Sequence, residues 1–284
     1  VGKRLVDNGA KVLKSLTGRS AETADRARLA GMVAASDEEI AGTDYILSIL
    51  PPGDAVSIAE RFGPALKASN AKPIYVDCNA INPSTVERVA AVIAPTGCPF
   101  VDAGIIGSPP KPGDAGPRIY ASGPSAPRFA TLRQYGLDIR VLDGALSTAS
   151  ALKMSYAGIT KGTQAIGAAI MLAASRAGTA DALFAELSSS QKEMLAWFKR
   201  GLSLMPPKAY RWIAEMHEMA GFVGEAQRAV DATNEMLGSG AVKGVLEDHV
   251  LRHFYGFELL PAPYTIAHLK LALFARSHDV RFVD

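Results

Sequence analysis

The sequence has almost no cysteine: Cys78 and Cys98 are the two thiols among 284 residues. Neither has metal-ligand spacing or a disulfide framework around it, so a cystine-stapled fold and a zinc module are both excluded. Each sits in an apolar, strand-like run, and both are expected to be buried free thiols of a reducing, cytoplasmic setting. There is no excess of one charge either. A formal net charge of +2 carries no electrostatic footprint for nucleic acid or for a membrane surface. No run approaches the roughly 18 consecutive apolar residues of a spanning helix, and the most apolar stretch, 165–174, reads as a buried helix. No signal-peptide pattern opens the chain. Internal repeats, low-complexity tracts and Ser/Gly linkers are absent as well.

What is present is ample for a core: 48% hydrophobic and 20% charged residues, the balance of a globular protein. The length suits two domains. Residues 1–145 alternate short apolar runs with helical patterns. Strands are expected at 11–16, 31–33, 44–51, 73–80, 99–106, 118–122 and 138–143. Helices are expected at 21–30, after Ser36, at 55–65 with Asp54 as cap, at 83–93 and at 126–135. Such alternation predicts an α/β, doubly wound, mostly parallel sheet with helices on both faces. Ligands then bind beyond the carboxyl ends of the strands, at the topological switch point. From 146 to 284 strand signals disappear and an all-α domain is expected. It opens with a long proline-free helix over 146–178, in which Lys153 stands among small and apolar residues. Gly158 and Gly162 on that helix suit close helix packing.

Another absence concerns phosphate binding. The chain opens at Val1 inside a helical pattern, with Gly2 where the last glycine of a G-x-G-x-x-G loop would stand. It reads as a piece whose first strand and remaining fingerprint glycines are missing. No Asp or Glu follows the strand at 11–16, where an NAD-binding protein holds the ribose hydroxyl. Thr17, Gly18, Arg19 and Ser20 stand there instead. A guanidinium and a hydroxyl suit a 2′-phosphate, which points to NADP rather than NAD. The stretch D-A-G-I-I-G-S at 102–108 brings glycines and Ser108 to the end of a strand, where backbone amides can meet a carboxylate. Lys153, an amine in apolar company, is the candidate general acid or base. Arg211, Glu215 and Glu218 share a helix face that reads as solvated and salt-bridged, with His217 elsewhere. His249 and His253, at i, i+4, lack further ligands, and no metal site is expected.

The order of elements, with Asp102-Ala-Gly-Ile-Ile-Gly followed by Lys153, resembles the β-hydroxyacid dehydrogenases. That superfamily includes 3-hydroxyisobutyrate and 6-phosphogluconate dehydrogenases. Residues 205–220 look like the C-terminal domain of a branch whose C-terminal domain has no known function. The resemblance implies a Rossmann domain, a helical domain that dimerises, and a site in the cleft between them. It matches Gly2 to the third fingerprint glycine and Arg19 to the NADP-selecting residue, with Ser20 beside it. Leu50 and Pro51 fall on the nicotinamide-side loop, and Asn79 on the usual Ser or Thr after the fourth strand. Gly104, Ile105, Ile106, Gly107 and Ser108 fall on the substrate-carboxylate loop, and Lys153 on the catalytic lysine. Two departures imply a different substrate grip. The family loop reads D-A-P-V-S-G-G, whereas Ile106 replaces its serine. The family Asn four residues after the lysine is Ala157, leaving Tyr156 and Ser155 as nearby polar candidates. The expected activity is hydride transfer between NADP and a small, carboxylate-bearing hydroxy acid by a homodimer. Imine reduction on the same scaffold, or a non-catalytic helical interaction module, are the alternatives.

Overall fold

The computed structural model describes residues 1–108, 116–202 and 212–224. The chain divides into two compact units, Val1–Met154 and Ser155–Asp284, a division nine residues beyond the expected one at 145/146.

In the first unit the order is α1 (Gly2–Asp7), β1 (Leu13–Lys14), α2 (Ala21–Leu29), β2 (Val33–Ala34), α3 (Asp37–Ala41), β3 (Tyr45–Ser48), α4 (Ala55–Ala68), β4 (Ile74–Asp77), α5 (Pro83–Ile93), β5 (Phe100–Ile106), β6 (Arg118–Ser122), α6 (Ala126–Phe129) and β7 (Asp138–Val141). The expected α/β alternation followed by helices is what the chain forms. Local signals place the helix starts. Ser36 and Glu39 form a reciprocal capping box for α3. Asn82 Oδ1 accepts from Thr85 N at 2.9 Å ahead of Pro83, the first residue of α5. Asp54 differs from expectation: its side chain caps nothing, because a 3₁₀ turn over Pro52–Asp54 already leads into α4.

Strands β3 to β7 form one sheet in that order, parallel throughout except at the antiparallel β5–β6 pair. Ile74, Val76 and Cys78 of the β4 run pack on one face with Val101, Ala103, Leu5 and Phe129. Tyr75 packs on the other with Phe62, Leu66, Val86 and Val89. Burial on both faces explains why these strands read as continuous apolar runs. Each fully buried large side chain contributes about 1.5–3 kcal/mol. The expected strand at 11–16 shrinks to Leu13–Lys14, which pairs with Val33–Ala34 in a separate two-stranded parallel sheet. Among the described residues β1 pairs with β2 alone and β3 with β4 alone, and both strands line one cavity of about 690 Å³.

The helix expected over 146–178 is divided in three. α7 (Thr148–Ala157) passes through a π-helical turn, Gly158–Gly162, into α8 (Thr163–Arg176). α9 (Ala180–Ser190) and α10 (Lys192–Leu202) follow, and residues 212–224 are helical. Close packing in the second unit falls on Gly167 rather than on Gly158. Gly167 is covered by the Phe198 ring, which any Cβ there would overlap, whereas the nearest group to a Cβ at Gly158 is Met219 Sδ at 3.9 Å. Glu215 also departs from expectation. It is buried and ion-paired with Lys161, whose ammonium lies 5.2 Å from the centre of the Trp212 ring. Arg211, His249, His253 and the segment after 224 lie outside the described residues. No helix among those described is long and apolar enough to cross a membrane.

Gly167→Ala should destabilise the protein by about 1–3 kcal/mol through overpacking against Phe198. Gly53→Ala, which meets nothing within 4 Å, should stay within about 0.5 kcal/mol. Urea midpoints check both; equal midpoints would contradict the packing described.

Candidate functional site

The register of the sheet puts four polar residues in one transverse row. Ser48 of β3 pairs with Asp77 of β4, Asp77 with Asp102 of β5, and Asp102 with Ser122 of β6. Directly opposed residues project to one face of a sheet, and all four are buried. Each half of the row holds a segment beyond the sheet. On one side Asn79 donates from Nδ2 to Ser48 Oγ (2.9 Å) and Asp77 Oδ2 (3.1 Å), while its N–H donates to Asp77 Oδ1 (2.9 Å). Its Oδ1 accepts from Leu50 N at 2.6 Å. The Asn79 side chain is therefore spent on holding the turn after β3.

On the other side the row meets the first turn of α7. Asp102 Oδ2 accepts from Ser150 N at 2.8 Å, and Oδ1 accepts from Ser150 Oγ at 2.6 Å. Ser122 Oγ accepts from Ala149 N at 2.9 Å and donates to Leu146 O at 2.6 Å. Side chains of β5 and β6 thus take the N–H groups that a helix start leaves unsatisfied, and a carboxylate there also complements the helix dipole. Two residues beyond Asp102, β5 comes so close to α7 that a Cβ at Gly104 would lie 3.0 Å from both Ala149 O and Lys153 Cβ. The missing side chain lets the helix seat, and it sets Lys153, half-buried, against the carboxyl-terminal half of β5.

Burial raises Asp77 to about 7, with the neighbouring Asp102 charge adding to it while hydrogen bonds from Asn79 oppose it. Burial raises Asp102 to about 6, held back by the donors on Ser150 and Ser122. Cys78 is buried and its thiol is pushed well up by burial and by the two acids, which makes it an inert thiol.

The cavity between the two sheets gathers a second group. Gly2, Lys14, Ser15, Arg19 and Leu50 are among its walls, and Lys153 is not. Burial first, and then the Arg19 charge, lower Lys14. Neither cation has an ion pair among the described residues, whereas nearby Arg61 is committed to Asp37 (2.6 Å) and Ser15 (2.8 Å). Lys14 escaped the sequence reading because it lies inside a strand pattern. The missing acid after that strand was the available signal.

Other anticipated positions have different surroundings. Ser20 caps α2, accepting from Thr23 N. Pro51 is exposed at the turn that Asn79 holds, and Tyr156 is exposed. Gly104, Ile105 and Ile106 are rungs of the β5–β6 ladder rather than a loop, with Ile106 buried and Ile105 packed on the core. Only Gly107, at φ 127°, and exposed Ser108 leave the ladder. Among the described residues no group of three or more His, Cys, Asp or Glu is placed to hold a metal.

Residues 1–134 match the NAD binding domain of 6-phosphogluconate dehydrogenase, and residues 174–247 match a domain of unknown function, DUF1932. A conserved protein of unknown function, whose structure reveals similarity with 3-hydroxyacid dehydrogenases, is 34% identical over 79% of this chain and 84% of its own, with a TM-score of 0.61. The chain belongs to the 3-hydroxyacid dehydrogenase and 6-phosphogluconate dehydrogenase-like superfamily. Within it, the chain is an enzyme of the NAD(P)-dependent dehydrogenase type. An uncharacterized 28.5 kDa protein of Methanothermus fervidus is 27% identical over 183 residues, 64% of this chain and 68% of that protein. A 3-hydroxyisobutyrate dehydrogenase of Salmonella typhimurium shares the fold, at a TM-score of 0.63 and 15% identity over 99% of this chain and 90% of its own.

The buried acids predict a pH dependence of stability. Both have folded-state values above the roughly 3.9 of an unfolded aspartate, so the folded chain binds protons more tightly than the unfolded one. Their contribution is greatest below about pH 4 and is lost as pH rises to about 7, a change on the order of a few kcal/mol. Asp77→Asn should flatten the fall in urea midpoint across that window relative to wild type. An unchanged slope would contradict the assignment.

Proposed function

We propose that this enzyme transfers hydride between NADP and the hydroxyl-bearing carbon of a small hydroxy acid, with Lys153 exchanging the proton of the substrate oxygen. The observation that supports this reading most is the seat of Lys153 on β5 at Gly104. It lies toward the carboxyl end of a parallel sheet, where such folds bind ligands. The bound nicotinamide supplies or accepts the hydride. Lys14 and Arg19 fit the cofactor's phosphate-bearing adenosine end: two cations without acidic partners among the described residues line one cavity after β1, the charge pattern that suits a 2′-phosphate. The turn at Leu50 and Pro51, held by Asn79, would line the nicotinamide side. The backbone amides of Gly107 and Ser108 would take the substrate carboxylate, since the Ile105 and Ile106 side chains are committed to packing.

We place the protein in the cytoplasm as a homodimer formed through the helical unit, where Ile170, Leu172 and Phe184 are exposed. Ile170→Glu should shift its mass in light scattering from dimer to monomer. A wild-type monomer would overturn the assembly.

Lys153→Met should lower turnover on a panel of short hydroxy acids by about 10²–10⁴-fold and leave NADPH affinity nearly unchanged in fluorescence titration. Retained turnover would sink the proton-transfer role, and turnover confined to imines would replace the substrate class. Replacing Lys14 or Arg19 by Ala should weaken NADPH, but not NADH, by about 10- to 100-fold, the worth of a charge-assisted hydrogen bond. Equal losses for both cofactors would argue against a 2′-phosphate contact.

A further inference from the structure

We propose that Asp102 is a positioning residue for Lys153, setting the place of the lysine through the first turn of α7. The inference rests on the reading of Lys153 as the proton-exchanging group, and it starts from two fixed points along β5. Asp102 holds Ser150 by its N–H and its hydroxyl. Gly104, on the same face of the strand, lets α7 approach so closely that a Cβ there would lie 3.0 Å from Ala149 O and Lys153 Cβ. Residues 149 and 153 are i, i+4 neighbours on one helix face, and Ser150 is three residues before the lysine. Two contacts spaced along both the strand and the helix fix the rotation as well as the translation of α7. Ser122 adds a third tie through the Ala149 N–H. Without such ties the first turn of a helix is the part that frays. A shift of about 1 Å at a reacting group can cost about 10²-fold in rate. Asp102 itself is fully buried behind this turn, so it acts on the lysine only through the helix.

The cofactor end of the site depends on none of these bonds, because Lys14 and Arg19 belong to β1 and the turn after it. Loss of the Asp102 ties should therefore lower kcat while leaving the KM for NADP(H) unchanged. A purely structural role would lower the amount of folded protein and leave the kcat of the folded fraction intact.

The test uses the full chain with its lysines carrying ¹³C-dimethyl labels and the Lys153 signal assigned by its loss in Lys153→Arg. In Asp102→Ala that signal should move and kcat should fall at least about 10-fold, with the Lys161 signal unmoved. Asp102→Asn, which keeps one acceptor oxygen for Ser150, should restore part of both. Ser150→Ala removes only the hydroxyl bond and should move both in the same direction by less. If Asp102→Ala does not fold, Ser150→Ala carries the test. An unmoved Lys153 signal with unchanged kcat in a folded variant overturns the proposal. Wild-type protein that turns over no substrate of the panel would remove the hydride-transfer reading, whereas the Lys153 signal would still decide whether Asp102 positions the lysine.

Discussion

Asp102 joins three strands and a helix through one carboxylate. Its neighbours in the ladder are Asp77 and Ser122, and its two oxygens accept from the first turn of α7. Burying a carboxylate costs several kcal/mol unless donors replace the lost water. Here the N–H and the hydroxyl of Ser150 do so, while the proton of the nearby Ser122 hydroxyl goes chiefly to Leu146 O. An apolar pair at this place would pack as well and would leave α7 free to slide and rotate. Directional bonds remove that freedom, and the lysine one turn further on inherits the result. Asp77 does the corresponding job on the other side of the row, through Asn79 and the turn at Leu50. The two acids thus hold the two segments that flank the carboxyl end of the sheet.

That dependence explains how this chain can differ from the family pattern and keep the same framework. Ile106 stands where the family loop has serine, and it is buried in the ladder; Ala157 stands where the family has Asn, and it is buried as well. Neither can grip a substrate by its side chain. The departures touch the groups that would hold the substrate, and at Gly104, where the family loop has Pro, the strand position against α7; they spare Asp102 and Lys153. Under the proposed function, that division corresponds to a changed substrate beside the same lysine.

Much of this was legible in the sequence, and the physical reasons for the remainder are specific. Strands buried on both faces announce themselves as apolar runs, and Ser36, Asn82 and Pro83 mark helix starts by local chemistry, so the alternation to residue 141 could be read directly. The π-turn at 158–162 could not, since the residues there keep a helical pattern whatever the hydrogen-bond step. Asn79 could be placed after a strand, yet which of its atoms were free for a ligand depended on Ser48 and Leu50, some thirty residues earlier. Lys153 stood out because it is a lone cation in apolar company. Asp102 did not, although a carboxylate inside the run at 99–106 demands a partner. That partner, Ser150, is 48 residues away, and no local pattern links the two.

The central claim, that the sheet holds the start of α7 in one place, is open to native-state hydrogen exchange. If the ties from Asp102 and Ser122 are as described, the amides of Ala149 and Ser150 should exchange as slowly as those of Val76 and Val101 in the central strands. Exchange of both at the rate of an ordinary fraying first turn would contradict it.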